Sequence, residues 1–446
     1  MKKIAILGGG ESGVGAALLA KAKGFKVFLS DKGALSDKYK EILAENEIPF
    51  EEGQHTESEI LDADEIVKSP GIPDKVALIQ KLKSLKKPII SEIELAARYT
   101  KAKIVAITGS NGKTTTTLLT YHLLKNAGLN VGLAGNVGES FAKQVINDTF
   151  DYFVLELSSF QLDNCFDFKA DIAILLNITP DHLDRYNYEF QNYIDSKFRI
   201  LQNMNSADHF IFYQESEAVA TELVKKSFPV HYLPVSLLEK VTEGASLENG
   251  QLEVNFQGQH FSFPQASLPI KGSHNAINAM SAILVAKALG IENEKIAEGL
   301  ASFQSVEHRL EPCGVIDGVK FVNDSKATNV DSVFYALGSF DDPIVLIMGG
   351  VDKGNDYTQI EPLVKQKVKA LICMGTDNQK LLDFFGEKVP AIYSVDSLLK
   401  AVEMSKQVAV EGDVVLLSPA CASFDLFKNY EDRGRQFKAA VQALIG

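Results

Sequence analysis

The sequence predicts an α/β protein of three domains, and three observations lead to this prediction. Short apolar runs that end in glycine or polar turns alternate with longer segments of helical period, the pattern of parallel β-α-β units. The chain has 446 residues, which corresponds to about three domains at roughly 150 residues each. One apolar run leads into a glycine-rich loop and a helix, an arrangement that binds phosphate. We place the domains at 1–98, 99–305 and 306–446.

Composition excludes several classes of protein. The formal charge is −13, because 45 basic residues face 58 acidic ones, and so acidic a chain repels polyanions. We therefore expect no nucleic-acid partner. No apolar run approaches the roughly 18 residues that cross a bilayer, and the four cysteines are far apart in the sequence. We expect a cytoplasmic monomer with reduced cysteines and no membrane partner.

The first domain opens with the strand Ile4–Leu7 and the glycine-rich turn Gly8–Gly13, and a second strand ends at Asp31. This spacing is typical of a dinucleotide-binding turn, whose acidic residue holds a ribose hydroxyl. Taken literally it predicts an NAD-dependent dehydrogenase, but another nucleotide diphosphate would fit the same turn. The segment Ser69–Pro73 is a second turn after a strand, and it either lines the same crevice or is structural.

The second domain begins with the strand Ile104–Ile107, followed by Thr108-Gly-Ser-Asn-Gly-Lys-Thr114 and a helix with a leucine face. Backbone N–H groups at such a helix start bind phosphate, Lys113 would reach the terminal phosphates, and the Thr114 hydroxyl would complete a Mg²⁺ shell. The pattern departs from G-x-x-x-x-G-K-[S/T], because Ile107 stands in the place of the first glycine. The alternative is an ordinary glycine turn. We favour an ATP site built from Gly109, Ser110, Asn111, Gly112, Lys113, Thr114 and Thr115.

Polar side chains follow the buried strands of this domain, at the edge where open parallel sheets carry their sites. Glu156 ends the run Phe153–Leu155 and could hold Mg²⁺ opposite the phosphate loop. His182 follows the run Ile172–Ile178 and is either a metal ligand or an ordinary loop histidine. Asn136, in a glycine-flanked loop, is equally ambiguous.

Lys197 shares one helical face with Phe190, Tyr193, Ile194 and Leu201. An amine in an apolar stripe must reach out to solvent, pair with a charge or lose its proton. A neutral amine can add CO₂ to form a carbamate, which is an anion able to bind metal. From the sequence alone, a lysine that reaches solvent and a carbamylated lysine both stay open.

The C-terminal part of the chain supplies further polar loops. Asn275 and Asn278 lie one turn apart at the start of an alanine-rich helix, which suits an adenine or ribose edge or merely a polar helix start. Arg309 lies at the predicted domain junction, where an arginine could bridge a phosphate. Three loops after strands follow, at Val322–Asn329, Met348–Gly354 and Leu417–Phe424. Several such loops favour a cleft over unrelated structural turns.

Together these residues resemble the ATP-dependent Mur ligases of bacterial cell-wall synthesis. The resemblance rests on the phosphate loop, the pair Asp181-His182, Lys197, the helix start His274–Asn278 and the pair His308-Arg309. Three further motifs, Leu155–Leu162, Asn323–Asn329 and Ser418–Phe424, are similar to the members that add D-glutamate. The resemblance covers the whole chain in order. It implies a Rossmann-like N-terminal domain that binds UDP, a P-loop-type central ATPase domain with a mainly parallel sheet, and a Rossmann-like C-terminal domain that binds the amino acid.

The resemblance also implies a role for individual residues. The catalytic group would be Lys113, Glu156, His182 and Lys197, with one Mg²⁺ held by Thr114 and Glu156 and a second by His182 and carbamylated Lys197. The rest of ATP would contact Asn275, Asn278, Arg309, Asp324 and Lys326. The substrate UDP-N-acetylmuramoyl-L-alanine would contact Asn136, Gln161 and His182 with its muramoyl-alanine arm, and Glu11, Ser12, Asp31 and Gly71 with its uracil end. D-Glutamate would contact Lys326, Thr328, Lys353, Ser423 and Phe424.

The implied reaction is the formation of an amide in peptidoglycan precursor synthesis. A substrate carboxylate attacks the γ-phosphate of ATP, and the amine of D-glutamate then displaces phosphate from the acyl phosphate. Three alternatives are weighed beside it. A ligase like folylpolyglutamate synthase shares the ATP loop but has no use for a nucleotide-binding first domain. An NAD-dependent oxidoreductase would release no ADP, and a nucleotide sensor would bind without turnover.

Overall fold

The computed structural model describes residues 2–304, 307–352 and 354–445, and their strands form three sheets. The chain divides into two compact units, one of Met1–Leu268 with Ala276–Phe303 and one of Pro269–Asn275 with Gln304–Gly446. The first unit contains the first two sheets, and the second unit contains the third. The prediction of a three-domain α/β protein is confirmed, with one sheet in each predicted domain.

The first sheet consists of β1 (Lys3–Leu7), β2 (Lys26–Asp31), β3 (Phe50–Glu52), β4 (Glu65–Lys68) and β5 (Ile89–Ile90). Its helices are α1 (Glu11–Ala22), α2 (Asp37–Glu45), α3 (Glu57–Leu61), α4 (Ala77–Ser84) and α5 (Glu92–Ala97). All five strands are parallel, in the order β3-β2-β1-β4-β5. The strand order reverses between β1 and β4, so the turns Gly8–Gly13 and Ser69–Pro73 border one crevice.

The central sheet consists of β6 (Lys103–Thr108), β7 (Val131–Gly135), β8 (Tyr152–Glu156), β9 (Ile172–Leu175), β10 (His209–Tyr213), β11 (His231–Ser236), β12 (Gly244–Glu248), β13 (Gln251–Phe256) and β14 (Gln259–Pro264). Its helices are α6 (Lys113–Asn126), α7 (Phe141–Gln144), α8 (Ser159–Leu162), α9 (Phe190–Phe198), α10 (Glu217–Lys225), α11 (Ser273–Ala288) and α12 (Asn293–Ser302). The strand order is β14-β13-β12-β11-β10-β9-β6-β8-β7; the pairs β12-β13 and β13-β14 are antiparallel hairpins, and the other pairs are parallel.

The loop-bearing strands β6, β8 and β9 are adjacent in this sheet, so their carboxyl ends meet at one edge. The β6 run Lys103–Thr108 is buried after its first residue, as expected of a strand covered by helices on both faces. β9 ends at Leu175 rather than at Ile178, where the apolar run ends. The chain then turns along the phosphate loop, where Asn177 O accepts from Ser110 N at 2.8 Å.

The third sheet consists of β15 (Glu311–Ile316), β16 (Val319–Asn323), β17 (Ile344–Met348), β18 (Val368–Met374), β19 (Ile392–Val395) and β20 (Val414–Leu417). Its helices are α13 (Val330–Gly338), α14 (Glu361–Lys367), α15 (Gln379–Phe385), α16 (Leu398–Val408) and α17 (Tyr430–Ile445). The order is β15-β16-β20-β17-β18-β19, parallel except for the edge strand β15. The three polar loops of the sequence analysis follow β16, β17 and β20, which are neighbours.

Two buried carboxylates of α5 join the first two sheets. Glu92 accepts hydrogen bonds from Ser140 Oγ at 2.7 Å and from Ala142 N at 2.6 Å. Glu94 accepts from the backbone N–H groups of residues 166–168. Burial raises the pKa of the Glu92 carboxyl. The first two sheets therefore behave as one body held by specific polar contacts.

The predicted boundary at 98 falls in the link between α5 and β6, whereas the one at 305 lies outside the described residues. Both boundaries stay predictions. Within the described part of the chain, no helix combines the length and apolar character that a membrane span needs.

Candidate active site

The phosphate loop joins β6 to α6 through two glycines in the left-handed region. The φ angles of Gly109 and Gly112 are +153° and +85°. A Cβ atom at Gly112 would lie 2.6 Å from Asn278 Oδ1, so a larger residue would clash as well as strain the backbone. Asn177 fixes the loop from outside, since its Oδ1 accepts from Asn111 N at 2.9 Å and its Nδ2 donates to Asn111 O at 3.1 Å. The loop is thus preorganised at a helix start, where anions bind.

Two lysine amino groups converge on one carbonyl of this loop. Lys113 Nζ donates to Gly109 O at 2.7 Å and to Ser110 O at 2.8 Å, and Lys197 Nζ donates to Gly109 O at 2.8 Å. Lys197 is only 1% exposed, so it does not reach solvent. Burial lowers the pKa of the Lys197 amine well below its ordinary value, and the positive charge of Lys113 lowers it further. A neutral amine is thereby favoured at the bottom of the site.

Tyr193, one helical turn before Lys197, forms the wall beside it. The Lys197 amine lies 4.7 Å from the centroid of the Tyr193 ring. The Tyr193 hydroxyl is 3.3 Å from Ser110 Oγ, which also donates to Thr179 O at 3.0 Å. Burial raises the pKa of the Tyr193 phenol, so the group stays a neutral donor. These contacts connect α9, the phosphate loop and the segment after β9.

Glu156 ends β8 beside the loop, as the sequence predicts. Its Oε1 accepts from Asn136 Nδ2 at 2.9 Å, and Asn136 N donates to Glu156 O at 2.8 Å. Its Oε2 is buried and has no hydrogen-bond partner among the described residues. A buried oxygen without a partner is costly, so this atom is suited to a cation. Asn136, which was ambiguous in the sequence, is thus brought into contact with Glu156.

The loop after β9 carries His182 in the left-handed conformation, with φ of +52°. The imidazole packs edge-on against Phe160, with ring centroids 5.2 Å apart, and His182 N donates to Asp181 Oδ1 at 2.8 Å. Gln161, which is predicted to contact the muramoyl-alanine arm of the substrate, has a structural role in this fold. Its Oε1 accepts from both N and Oγ of Ser158, closing a capping box at the start of α8.

A cavity of about 320 Å³ lies beside these groups, and several of them line it. The lining residues are Pro70, Gly71, Lys113, Asn136, Ser158, Ser159, Phe160, Asp181, His182, Arg185, Tyr193 and Lys197. Gly71, predicted to contact the uracil end of the substrate, reaches this cavity from the first sheet. Arg185 also lines it and was not identified from the sequence.

The first turn of α6 and the start of α11 supply the remaining residues predicted for ATP in this part of the chain. Thr114 and Thr115 are buried directly after Lys113. Asn278 Oδ1 accepts from Thr116 Oγ1 at 3.1 Å, which fixes the side chain against α6. Asn275 Nδ2 donates to Lys271 O at 2.7 Å and so also steadies the helix start.

The N-terminal residues predicted for the uracil end lie on the crevice of the first sheet. Asp31 accepts from Gly9 N at 2.5 Å and from Gly33 N at 2.7 Å, so its carboxylate holds two loops together. Glu11 Oε2 accepts from Tyr39 OH at 2.8 Å. Burial and then Glu11 raise the pKa of that phenol to about 12. Ser12 is partly buried in the first turn of α1.

In the second unit, Asp324 is fully buried at the end of β16. Its Oδ2 accepts from Ser418 Oγ at 2.9 Å, and its Oδ1 accepts from Leu310 N at 3.3 Å. Burial raises the pKa of the Asp324 carboxyl to about 6, against the lowering effect of Arg309. Arg309 Nε is buried without a hydrogen-bond partner among the described residues, so this predicted ATP ligand keeps a donor available. Burial and then Arg309 lower the pKa of His274 to about 4.

Arg433 of α17 fastens two of the polar loops and was missed in the sequence. It is fully buried; its Nε donates to Ser325 Oγ at 2.9 Å and its Nη2 to Ser325 O at 2.8 Å. Both terminal nitrogens also donate to Cys421 O at 3.3 Å. The sequence pattern could have identified this arginine. Arg433 shares an apolar stripe with Phe437 and Val441 at helical spacing, just as Lys197 lies in an apolar stripe on its own helix.

Four of the residues predicted for D-glutamate, Lys326, Thr328, Ser423 and Phe424, lie on these two loops. Ser423 is buried, and Thr328 N donates to Lys326 O at 2.9 Å. Phe424 is 72% exposed, and Lys353 lies outside the described residues. The Lys326 amine lies 5.4 Å from the ring centroid of Tyr430. Nothing in the sequence indicated that Tyr430 is part of this region.

Comparison with known proteins gives three matching family models. They are the MurD N-terminal domain over residues 3–77, the Mur ligase middle domain over 107–286, and the Mur ligase, glutamate ligase domain over 308–421. A UDP-N-acetylmuramoylalanine--D-glutamate ligase of Christiangramia forsetii is 53% identical over 99% of this chain and 100% of its own length. The enzyme of the same name from Bacteroides fragilis is 53% identical over 100% of both chains.

Solved structures share the fold at lower identity. A pseudomurein peptide ligase type C from Methanothermus fervidus is 21% identical over 100% of both chains, with a TM-score of 0.64. The UDP-N-acetylmuramate-alanine ligase MurC from Thermotoga maritima is 20% identical over 99% of this chain and 100% of its own, with a TM-score of 0.62. The MurF ligase from Thermotoga maritima, in complex with ADP, is 16% identical over 95% of this chain and 97% of its own, with a TM-score of 0.61.

Proposed function

The chain belongs to the Mur ligase family, and from that premise we propose how its residues perform the reaction. The protein is an ATP-dependent ligase that joins D-glutamate to UDP-N-acetylmuramoyl-L-alanine in peptidoglycan precursor synthesis. Its full-length relatives carry the name of this D-glutamate ligase. The observation that carries the site assignment is the convergence of Lys113 and Lys197 on Gly109 O. The dehydrogenase interpretation of the N-terminal glycine turn is set aside.

The first step makes the substrate carboxyl electrophilic. A carboxylate oxygen bonds to the γ-phosphorus of ATP, and the bond to the β-γ bridging oxygen breaks, so ADP leaves and an acyl phosphate forms. Carboxylate and triphosphate repel each other, so cationic side chains must hold them in line. Lys113 is the cation of the phosphate loop, and Arg309 supplies a second from the C-terminal domain.

The second step forms the amide. The amine of D-glutamate attacks the acyl carbon, phosphate leaves with the bonding electrons, and the amine loses a proton. Lys326, Thr328, Ser423, Phe424 and Lys353 are the residues we assign to the amino acid. The positive charges of Lys326 and Lys353 would attract the two carboxylates of D-glutamate.

The residues of the central site fit Mg²⁺. Glu156 Oε2 is a buried carboxylate oxygen without a hydrogen-bond partner among the described residues, and oxygen ligands are what this ion prefers. We assign one ion to Thr114 and Glu156 and a second to His182 and carbamylated Lys197. When bound, the ions would neutralise phosphate charge. Asn136 orients Glu156 by its 2.9 Å hydrogen bond.

The surroundings of Lys197 support the proposal that it is carbamylated. The amine is buried, and its pKa is lowered by burial and by Lys113, which favours the neutral nucleophile. Nitrogen bonds to the carbon of CO₂ and releases a proton, so a cation becomes an anion. That anion would also relieve the repulsion between the two lysines.

One assay tests the function. We expect ADP release from ATP and Mg²⁺ in the presence of UDP-N-acetylmuramoyl-L-alanine and D-glutamate, and little release when L-glutamate replaces the D-isomer. No ADP in any combination would contradict the assignment. Because the reaction consumes ATP, we expect a protein that works in the cytoplasm, and we propose that it is a monomer.

A further inference from the structure

Arg185 lines the active-site cavity but has no role in the account given so far. It ends a short 3-10 turn three residues after His182. Its guanidinium carbon lies 4.2 Å from the centroid of the Phe160 ring, and its Nη2 donates to Pro70 O at 3.2 Å and Ile72 O at 3.5 Å. An aromatic face and two carbonyls thus hold the group at the edge of the first sheet.

The charges around the cavity are unevenly placed. Its described lysine and arginine side chains are Lys113, Lys197 and Arg185. The two lysines share Gly109 O and therefore serve the phosphate loop. Arg185 donates instead to carbonyls of the turn Ser69–Pro73 that follows β4. It is the permanent cation of the cavity wall that no step of the proposed reaction uses.

The crevice of the first sheet leads to this arginine. A Cβ atom at Gly8 would lie 2.6 Å from Ser69 Cβ and 3.8 Å from Ile72 Cδ1, so the glycine turn after β1 touches the turn that Arg185 binds. A nucleotide whose base sits over that crevice must pass Pro70 and Gly71 to bring its distal carboxylate to Lys197. Its pyrophosphate, which is negative on both phosphoryl groups, then passes beside Arg185.

We propose that Arg185 binds the pyrophosphate of the nucleotide-linked substrate and makes the enzyme prefer substrates that carry it. This assignment rests on the proposed function. Of the three guanidinium nitrogens of Arg185, only Nη2 donates hydrogen bonds to the described residues. Its Nε and Nη1 donors are therefore left for phosphate oxygens. Arginine suits this task because its planar fork can bind two phosphate oxygens at once, whereas lysine presents a single point charge.

The test compares Arg185→Gln, Arg185→Lys and a matched control, Arg199→Gln. Arg199 also lies over a phenylalanine ring (Phe166, 5.5 Å) and donates to a backbone carbonyl (Leu162 O, 2.8 Å), but it is outside the cavity lining. For each variant, kcat/KM is measured with UDP-N-acetylmuramoyl-L-alanine and with phosphate-free N-acetylmuramoyl-L-alanine, and the KM of ATP is recorded.

We expect Arg185→Gln to lower kcat/KM for the UDP substrate on the order of 10-fold or more, mainly through KM, because a charge-assisted contact is lost. The kcat/KM of Arg185→Lys should lie between those of wild type and Arg185→Gln. The kcat/KM for the phosphate-free substrate and the KM of ATP should not change. An equal fall for both substrates would overturn the assignment, since it would show that Arg185 only holds the turn. A fall of the same size in Arg199→Gln would also overturn it. Wild-type protein that releases no ADP would instead overturn the proposed function.

Discussion

Lys113 and Lys197 donate to the same atom, the carbonyl oxygen of Gly109, at 2.7 and 2.8 Å. Two ammonium groups that share one acceptor repel each other, and burial adds to the cost of keeping the second one charged. The arrangement therefore separates their tasks: Lys197 is driven towards its neutral form, and Lys113 is the amine that we assign to phosphate. The first two predictions test these two tasks.

Lys113→Ala should abolish product formation and leave the fold intact. The lysine is partly exposed, and its amine donates to two carbonyls of the loop that it follows, so its removal takes away the charge for the triphosphate and little packing. ADP release measures the loss, and the circular dichroism spectrum measures the fold. Lys125→Ala, at the exposed end of the same helix, is the control and should keep full activity. Near-normal turnover of Lys113→Ala would remove the phosphate-loop assignment.

Lys197→Ala should lose activity, and an added short-chain carboxylic acid should partly restore it. The acid would place a carboxylate in the space that the side chain occupies, next to Tyr193 and Gly109. Rates at increasing concentrations of the acid, compared with the same series for wild type, measure the rescue. If no acid restores any activity, the carbamate is wrong, although the ligase reaction is not.

Asp324→Asn should change how stability depends on pH. The folded-state pKa of Asp324 is raised to about 6 by burial, so the folded protein binds this proton more tightly than the unfolded chain. Its contribution to stability is full below about pH 4 and is lost as the pH rises through about 6, a change on the order of 3 kcal/mol. Asparagine keeps one acceptor oxygen, presents an amide donor in place of the other, and does not titrate. The melting temperature of the variant, relative to wild type, should therefore rise between pH 4 and pH 7; a constant difference would contradict the raised pKa.

Arg433→Met should weaken the binding of D-glutamate more than that of ATP. The arginine connects Ser325 with Cys421 O, so its loss unfastens the loops that follow β16 and β20. It also leaves buried acceptors unpaired, at a cost on the order of 2–4 kcal/mol. The KM values of D-glutamate and ATP measure the first effect, and thermal unfolding measures the second. Arg435→Met, two residues along the same helix and exposed, should change neither. Equal increases in both KM values would show that the arginine merely stabilises the fold.

Sequence reasoning succeeded where a residue conflicts with its local pattern. Lys197 in an apolar stripe and Glu156 at the end of an apolar strand both indicated a site; Lys197 lines the cavity, and Glu156 accepts a hydrogen bond from Asn136, which lines it. The same reasoning was available for Arg433 but was not applied to the last helix. The apolar run that ends at Ile178 gave too long a strand, because nothing local shows that the chain turns to bind Ser110.

Other parts depend on long-range pairing and could not be predicted. Glu92 and Glu94 read as ordinary residues at a helix start, and only the fold shows that their partners are residues 140–142 and 166–168. Nothing in the sequence around Arg185 marks it as unusual, because the turn that it contacts lies more than 100 residues earlier. The aromatic neighbour of Lys326 likewise comes from a distant helix.

The carboxylate of Glu94 also limits how the polypeptide can be dissected. A fragment starting at residue 99 would leave three consecutive backbone amides, at 166–168, without their acceptor, and it would uncover the apolar surface beneath α5. Such a fragment should aggregate on expression. The smallest recombinant piece worth making for nucleotide titrations accordingly starts at the first strand and continues through α12.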